Sequence, residues 1–114
     1  MANLIVILKA LSDETRYNLV KLLLKHGYCV GALAKKLGVS ESAVSQHLKI
    51  LRHAGLVKGD KRGYFTHYSV ERRLLKEAAK ELNELAVLAP ISSECPKLTG
   101  ESASYCRKEE KPNG

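Results

Sequence analysis

Apolar residues recur along this chain with two different periods, and each change of period marks a new element. Leu4, Ile5, Leu8 and Leu11 fall at i, i+1, i+4 and i+7, which fits one face of a helix. The β-branched run Ile5-Val6-Ile7 would also suit a strand. Ser12-Asp13-Glu14 predicts the start of a second helix: a capping hydroxyl, then two acids against the positive end of the dipole. Leu19, Val20, Leu23 and Leu24 supply its inner face, and Lys25-His26-Gly27 end it. A short helix over 30–37 follows, with Leu33, Ala34 and Leu37 on one side. Gly38-Val39-Ser40 is a tight turn. Ser40 then caps a helix running to about His53, with Glu41 in its first turn, Val44, Leu48 and Leu51 inward, and Ala54-Gly55 as its stop.

Two short helices joined by three residues that include a glycine are the signature of a helix-turn-helix. After Gly55 the period changes. Leu56-Val57-Lys58 and the stretch from Tyr64 to Val70 read as strands around a basic turn, Gly59-Asp60-Lys61-Arg62-Gly63. A hairpin directly after a helix-turn-helix is a wing. Leu74, Leu75, Ala78, Ala79, Leu82, Leu85 and Ala86 then form a long helical stripe, and Pro90 marks its end. The expected fold is mainly α with a small β-hairpin, a winged helix-turn-helix.

Composition sharpens this picture. The 114 residues carry 19 Lys and Arg against 12 Asp and Glu, a net charge of +7. Residues 89–114 are neutral in sum, since Lys97, Arg107, Lys108 and Lys111 offset Glu94, Glu101, Glu109 and Glu110. The whole excess therefore lies on residues 1–88, and a compact basic domain points to polyanions, nucleic acid first. All three prolines and two of the three cysteines lie from residue 90 onward. The expected organisation is a domain over 1–89 and a Cys-containing tail over 90–114, flexible without ligand. No apolar run approaches the roughly 18 residues of a membrane span. The start, Met1-Ala2-Asn3 and a short apolar run to Leu8, lacks a basic leader, so a cytoplasmic protein without a membrane partner is expected.

With Val44, Leu48 and Leu51 inward, Ser42, Ser45, Gln46 and Lys49 face outward. Small hydroxyl residues let a helix enter the major groove deeply. Gln46 can donate and accept at once, as the edge of adenine requires. Lys49 can hold a phosphate, and Ser40 lies at the positive helix end where a phosphate could bind. Lys61 and Arg62 can reach an adjacent groove or backbone. The bland alternative is a polar, solvated helix. His47 either touches DNA or packs, and structural roles are expected for His53 and His67.

The runs Ala10-Leu11-Ser12-Asp13-Glu14-Thr15-Arg16, Leu37-Gly38-Val39-Ser40, Val44-Ser45-Gln46-His47-Leu48-Lys49-Ile50-Leu51, Ala54-Gly55-Leu56-Val57 and Gly63-Tyr64-Phe65-Thr66-His67-Tyr68 resemble the ArsR/SmtB winged-helix repressors over roughly residues 9 to 88. The resemblance implies a homodimer built on the first and last helices, binding to inverted-repeat double-stranded DNA with half-sites about one helical turn apart, and relief of repression by an inducer. DNA binding itself would require no cofactor.

Many members of that family hold metal on a Cys-Val-Cys-Asp-Leu stretch. The matching residues here are Cys29-Val30-Gly31-Ala32-Leu33, so one thiol of the pair is missing. Another subset uses Asp and His on the last helix, and this last helix has neither. Cys29, Cys95 and Cys106 remain, and three thiolates suit a soft trigonal species such as arsenite, antimonite or another thiophilic metal. Thiol redox sensing, through Cys95 with Cys106 or Cys29 with Cys95, is a second reading. A third leaves Cys29 as a small core residue and the tail cysteines without a sensory role. An enzyme is not expected: the chain has no Gly-x-Ser-x-Gly, no His-Glu-x-x-His and no phosphate-cradling glycine loop. A winged helix that binds protein is the other competing class, opposed by the basic outer face over 41–53.

Overall fold

A computed structural model describes residues 3–91. Five helices and one hairpin follow in the order α1 (Leu4–Leu11), α2 (Glu14–Lys25), α3 (Val30–Leu37), α4 (Glu41–His53), β1 (Val57–Arg62), β2 (Phe65–Val70) and α5 (Arg72–Ala86). The fold is the winged helix-turn-helix expected from the pattern. No described helix is long and apolar enough to cross a membrane.

Side chains close the free N–H groups at three helix starts. Asn3 accepts from Ile5 N at 2.9 Å, Asp13 from Arg16 N at 3.0 Å and Ser40 from Ala43 N at 3.0 Å. The cap of α2 is thus Asp13 and not Ser12. Ser12 instead ends α1, its hydroxyl donating to Lys9 O at 2.8 Å. An Asp cap carries charge as well as an acceptor. The Arg16 N–H holds the Asp13 carboxyl below its ordinary pKa, with the charge of Arg16 adding to the effect.

The core gathers one face from each element. Ile7, Leu19, Leu33, Val44, Leu48, Leu51 and Leu56 are its largest fully buried side chains. On α4 the three inward positions are the expected ones. On α1 they differ: Leu4, Ile7 and Ala10 are buried, whereas Ile5, Val6 and Leu8 are exposed. α1 is apolar all round, so periodicity does not select its inner face. On α5 only Ala78 is buried, and Leu82 and Leu85 are exposed. This helix stops at Ala86, short of Pro90, and its last turn holds no cation to stabilise its carbonyls.

The hairpin is longer and tighter than its composition suggests. The strands pair from Val57↔Val70 to Arg62↔Phe65, leaving only Gly63 and Tyr64 as the loop. Gly63 supplies the positive φ (64°) that a two-residue hairpin loop demands. Gly59, expected in the turn, lies within β1 for a packing reason. A Cβ there would stand 3.0 Å from Thr66 Cγ2 and 3.1 Å from Tyr68 Cε1 across the ladder. A two-stranded ribbon is marginal by itself. This one is pinned at its base by buried Leu56 and Val57 and by the Glu71 N–H bond to Leu56 O at 2.7 Å.

Candidate nucleic-acid interface

The turn between α3 and α4 sets the angle of the second helix. Gly38 adopts the left-handed conformation (φ 70°) and its N–H closes on Ala34 O at 2.9 Å. Val39 N follows onto the same carbonyl at 3.1 Å. With Val44, Leu48 and Leu51 at 0–2% exposure, packing decides which face of α4 turns inward. Ser42, Ser45, Gln46 and Lys49 are all exposed on its other side, as expected. Ser40 is exposed too, but its oxygen already accepts the Ala43 N–H, so only its O–H is left to donate outward. Glu41 beside it is exposed and acidic, which opposes a phosphate at this helix end.

The wing brings the expected Lys61 and Arg62 to the last two positions of β1, next to the loop. They are not equivalent. Arg62 Nε is paired with Asp60 Oδ2 at 3.1 Å, both side chains about two-thirds exposed, whereas Lys61 makes no ion pair among the described residues. Asp60 and Arg62 share one face of the strand because they are two residues apart. Replacing Asp60 by asparagine frees the guanidinium and removes a repelling charge. An exposed pair is worth at most about 1 kcal/mol, so duplex affinity should rise by up to about fivefold at low salt, measured by fluorescence anisotropy. An unchanged affinity would place Arg62 away from the duplex. Tyr64 at the loop is 98% exposed and Phe65 59%, an aromatic wing tip that charge counting overlooked.

A further residue escaped the sequence reading. Arg16 reaches backward from α2 to Ala10 O (Nε, 2.6 Å) and forward to Nδ1 of His47 on α4 (Nη1, 3.3 Å). Nothing local in sequence could reveal a partner 31 positions away. His47 is half-buried, His67 half-buried on β2, and His53 exposed at the end of α4.

Cys29 stands immediately before α3, half-buried, its thiol unpaired among the described residues, and lines an open cleft with Glu41, Tyr64, Phe65 and Tyr68. Cys95 and Cys106 lie outside the described residues. Among the described residues no three His, Cys, Asp or Glu side chains gather into a metal-binding group, so this part of the chain alone does not fit a trigonal thiolate site. A Cβ at Gly31 would sit 3.4 Å from Glu41 Oε2, so the missing second thiol reflects residue identity more than lack of space.

These features recur in known proteins. Residues 13–58 match the family described as bacterial regulatory protein, arsR family. The chain is 36% identical over 84 residues to the transcriptional activator HlyU of Vibrio cholerae, covering 74% of this chain and 78% of that one. It is 38% identical over 81 residues to the arsenical resistance operon repressor of Escherichia coli, covering 70% and 69%. An ArsR-like transcriptional regulator from Rhodococcus sp. RHA1 superimposes with a TM-score of 0.68 at 32% identity, over 73% of this chain and 78% of that one. Such relatives are DNA-binding regulators and not enzymes. The buried face of α4, its three-residue approach and the wing behind it have the same meaning here: the chain belongs to the ArsR family of bacterial transcription regulators.

Proposed function

We propose that this chain is a sequence-specific repressor that binds an inverted-repeat operator as a homodimer and leaves it when a soft metalloid or metal occupies its cysteines. The observation that carries the reading is the division of α4 into a dry face, Val44, Leu48 and Leu51, and a free polar face, Ser42, Ser45, Gln46 and Lys49. Lys61 and Arg62 on the wing add cations for the backbone, and Ser40 adds a donor at the helix start. Residues 1–89 form the DNA-binding and dimerisation unit and 90–114 the Cys-bearing tail of a cytoplasmic regulator. The dimer reading is supported by apolar residues left uncovered on α1 (Ile5, Val6, Leu8) and α5 (Leu82, Leu85), two helices that pack against each other.

For the inducer, support comes from the relative named for arsenical resistance and from the three thiols Cys29, Cys95 and Cys106. Thiolates are the donors that arsenite and antimonite prefer, and with Gly31 in place of a second local thiol the tail must provide the rest. A coupling of about 1–3 kcal/mol would weaken operator binding about 5- to 150-fold.

One titration tests both parts. A duplex selected by the protein from random sequence should bind as an inverted repeat to a dimer, and arsenite should release it. The triple variant Cys29→Ser, Cys95→Ser, Cys106→Ser should bind equally well and ignore arsenite. Absence of any selected duplex would overturn the repressor reading. Release of the triple variant by arsenite would move the inducer site elsewhere, and release of the wild type by a persulfide donor alone would replace metalloid sensing with thiol redox.

A further inference from the structure

Arg16 occupies an unusual place for an arginine in a DNA-binding domain. It is half-buried, on α2, and its guanidinium makes its hydrogen bonds to backbone carbonyls and a histidine, with no ion pair among the described residues. Its Nε donates to Ala10 O at 2.6 Å, and its Nη2 lies 3.5 Å from Lys9 O. Those carbonyls belong to the last turn of α1, where a cation is favoured; Lys9 O also accepts from the N–H and hydroxyl of Ser12. The remaining arm reaches His47 Nδ1 at 3.3 Å. One side chain therefore ends α1, follows the Asp13 cap of α2 and touches α4.

The chemistry of that last contact has only one sense. A guanidinium has donors and no acceptor. His47 Nδ1 must accept, so the neutral ring carries its proton on Nε2. No protein atom among the described residues partners Nε2. His47 directly follows Gln46, and Lys49 lies one half-turn further, so a bond that fixes the ring also fixes the stretch of α4 bearing the exposed polar face.

We propose that Arg16 is a positioning residue for operator recognition: anchored on the end of α1, it holds His47 through Nδ1 and so sets the azimuth at which Gln46 meets the bases. The core residues of α4 set its roll coarsely through packing. The Arg16–His47 bond is the directional contact among them, and direction is what a bidentate base contact demands. This rests on the reading of α4 as the DNA-facing helix.

The two amide replacements of His47 separate the possible roles while leaving Arg16 on its α1 anchor. Asparagine can set its carbonyl where Nδ1 stands, whereas glutamine extends toward Nε2 and withdraws the Nδ1 acceptor. With dimeric protein and a selected duplex, His47→Asn should bind within about twofold of wild type. His47→Gln and Arg16→Ala should each lose about tenfold on that duplex and little on random DNA, and the double variant should lose no more than either single one. A spectroscopic readout accompanies this. Histidine nitrogen shifts at about pH 8, where an ordinary imidazole is neutral, should show His47 with its proton on Nε2 in the wild type and a mixture of tautomers in Arg16→Ala. Failure of the wild type to bind any duplex would sink the functional reading itself. Wild-type binding with His47→Gln unimpaired, or with His47→Asn impaired and His47→Gln intact, would overturn the positioning role, the second pattern assigning Nε2 directly to DNA. A wild-type His47 already mixed in tautomer would overturn it as well.

Discussion

Truncating Leu51 to alanine should remove about 2–5 kcal/mol of folding stability, a large share of what a domain of this size possesses. The side chain is fully buried on the inner face of α4, among the core residues contributed by every other helix. Its carbonyl also accepts the Leu56 N–H at 3.0 Å, so the segment that ends α4 and starts the wing hangs on the same residue. A cavity there loses dispersion contacts on every side, and the close-packed surroundings relax only in part. The neighbouring Ile50 provides the control. It is 42% exposed, and Ile50→Ala should cost much less. Urea melts at one fixed protein concentration would compare them, since dimerisation makes apparent stability depend on concentration. Equal midpoints for the two variants would show that α4 does not depend on its inner face as the packing implies.

How far this architecture was legible in sequence depended on whether its cause was local. α4 could be bounded and oriented in advance, because Ser40 caps it, Gly38 and Gly55 take positive φ on either side, and only one stripe is apolar. α1 could not be oriented, because both of its faces are apolar and only tertiary contact decides that Ile7 goes in and Ile5 stays out. The hairpin misled by composition: Gly59 and Asp60 look like turn residues, yet one makes room for Tyr68 and the other pairs with Arg62. At the interface, exposure of Ser42, Ser45, Gln46 and Lys49 followed from the same periodicity that buried Val44. The neutralisation of Arg62 by Asp60 and the reach of Arg16 to His47 are side-chain geometry, which no spacing rule encodes. The three-cysteine reading is legible only as donor chemistry, since Cys95 and Cys106 lie outside the described residues.

Base reading and backbone holding should separate when Gln46 and Lys61 are replaced one at a time. A glutamine amide lying on an adenine edge supplies a donor and an acceptor together, and losing such a pair costs about 1–3 kcal/mol at the matching base. Gln46→Ala should therefore weaken the selected duplex by about 5- to 150-fold while leaving random DNA nearly untouched, so that discrimination collapses. Lys61 makes no ion pair among the described residues, and its ammonium on the wing is a point charge suited to a phosphate. Lys61→Ala should weaken every duplex by a similar factor and reduce the logarithmic salt slope by about 1, the mark of one lost phosphate contact. Anisotropy titrations over a range of salt, with selected and scrambled duplexes, resolve the two patterns. If Gln46→Ala lowered both affinities equally, the amide would be holding the backbone. The exposed face of α4 would then bind DNA without reading it, and specificity would have to come from the wing or from the shape of the duplex.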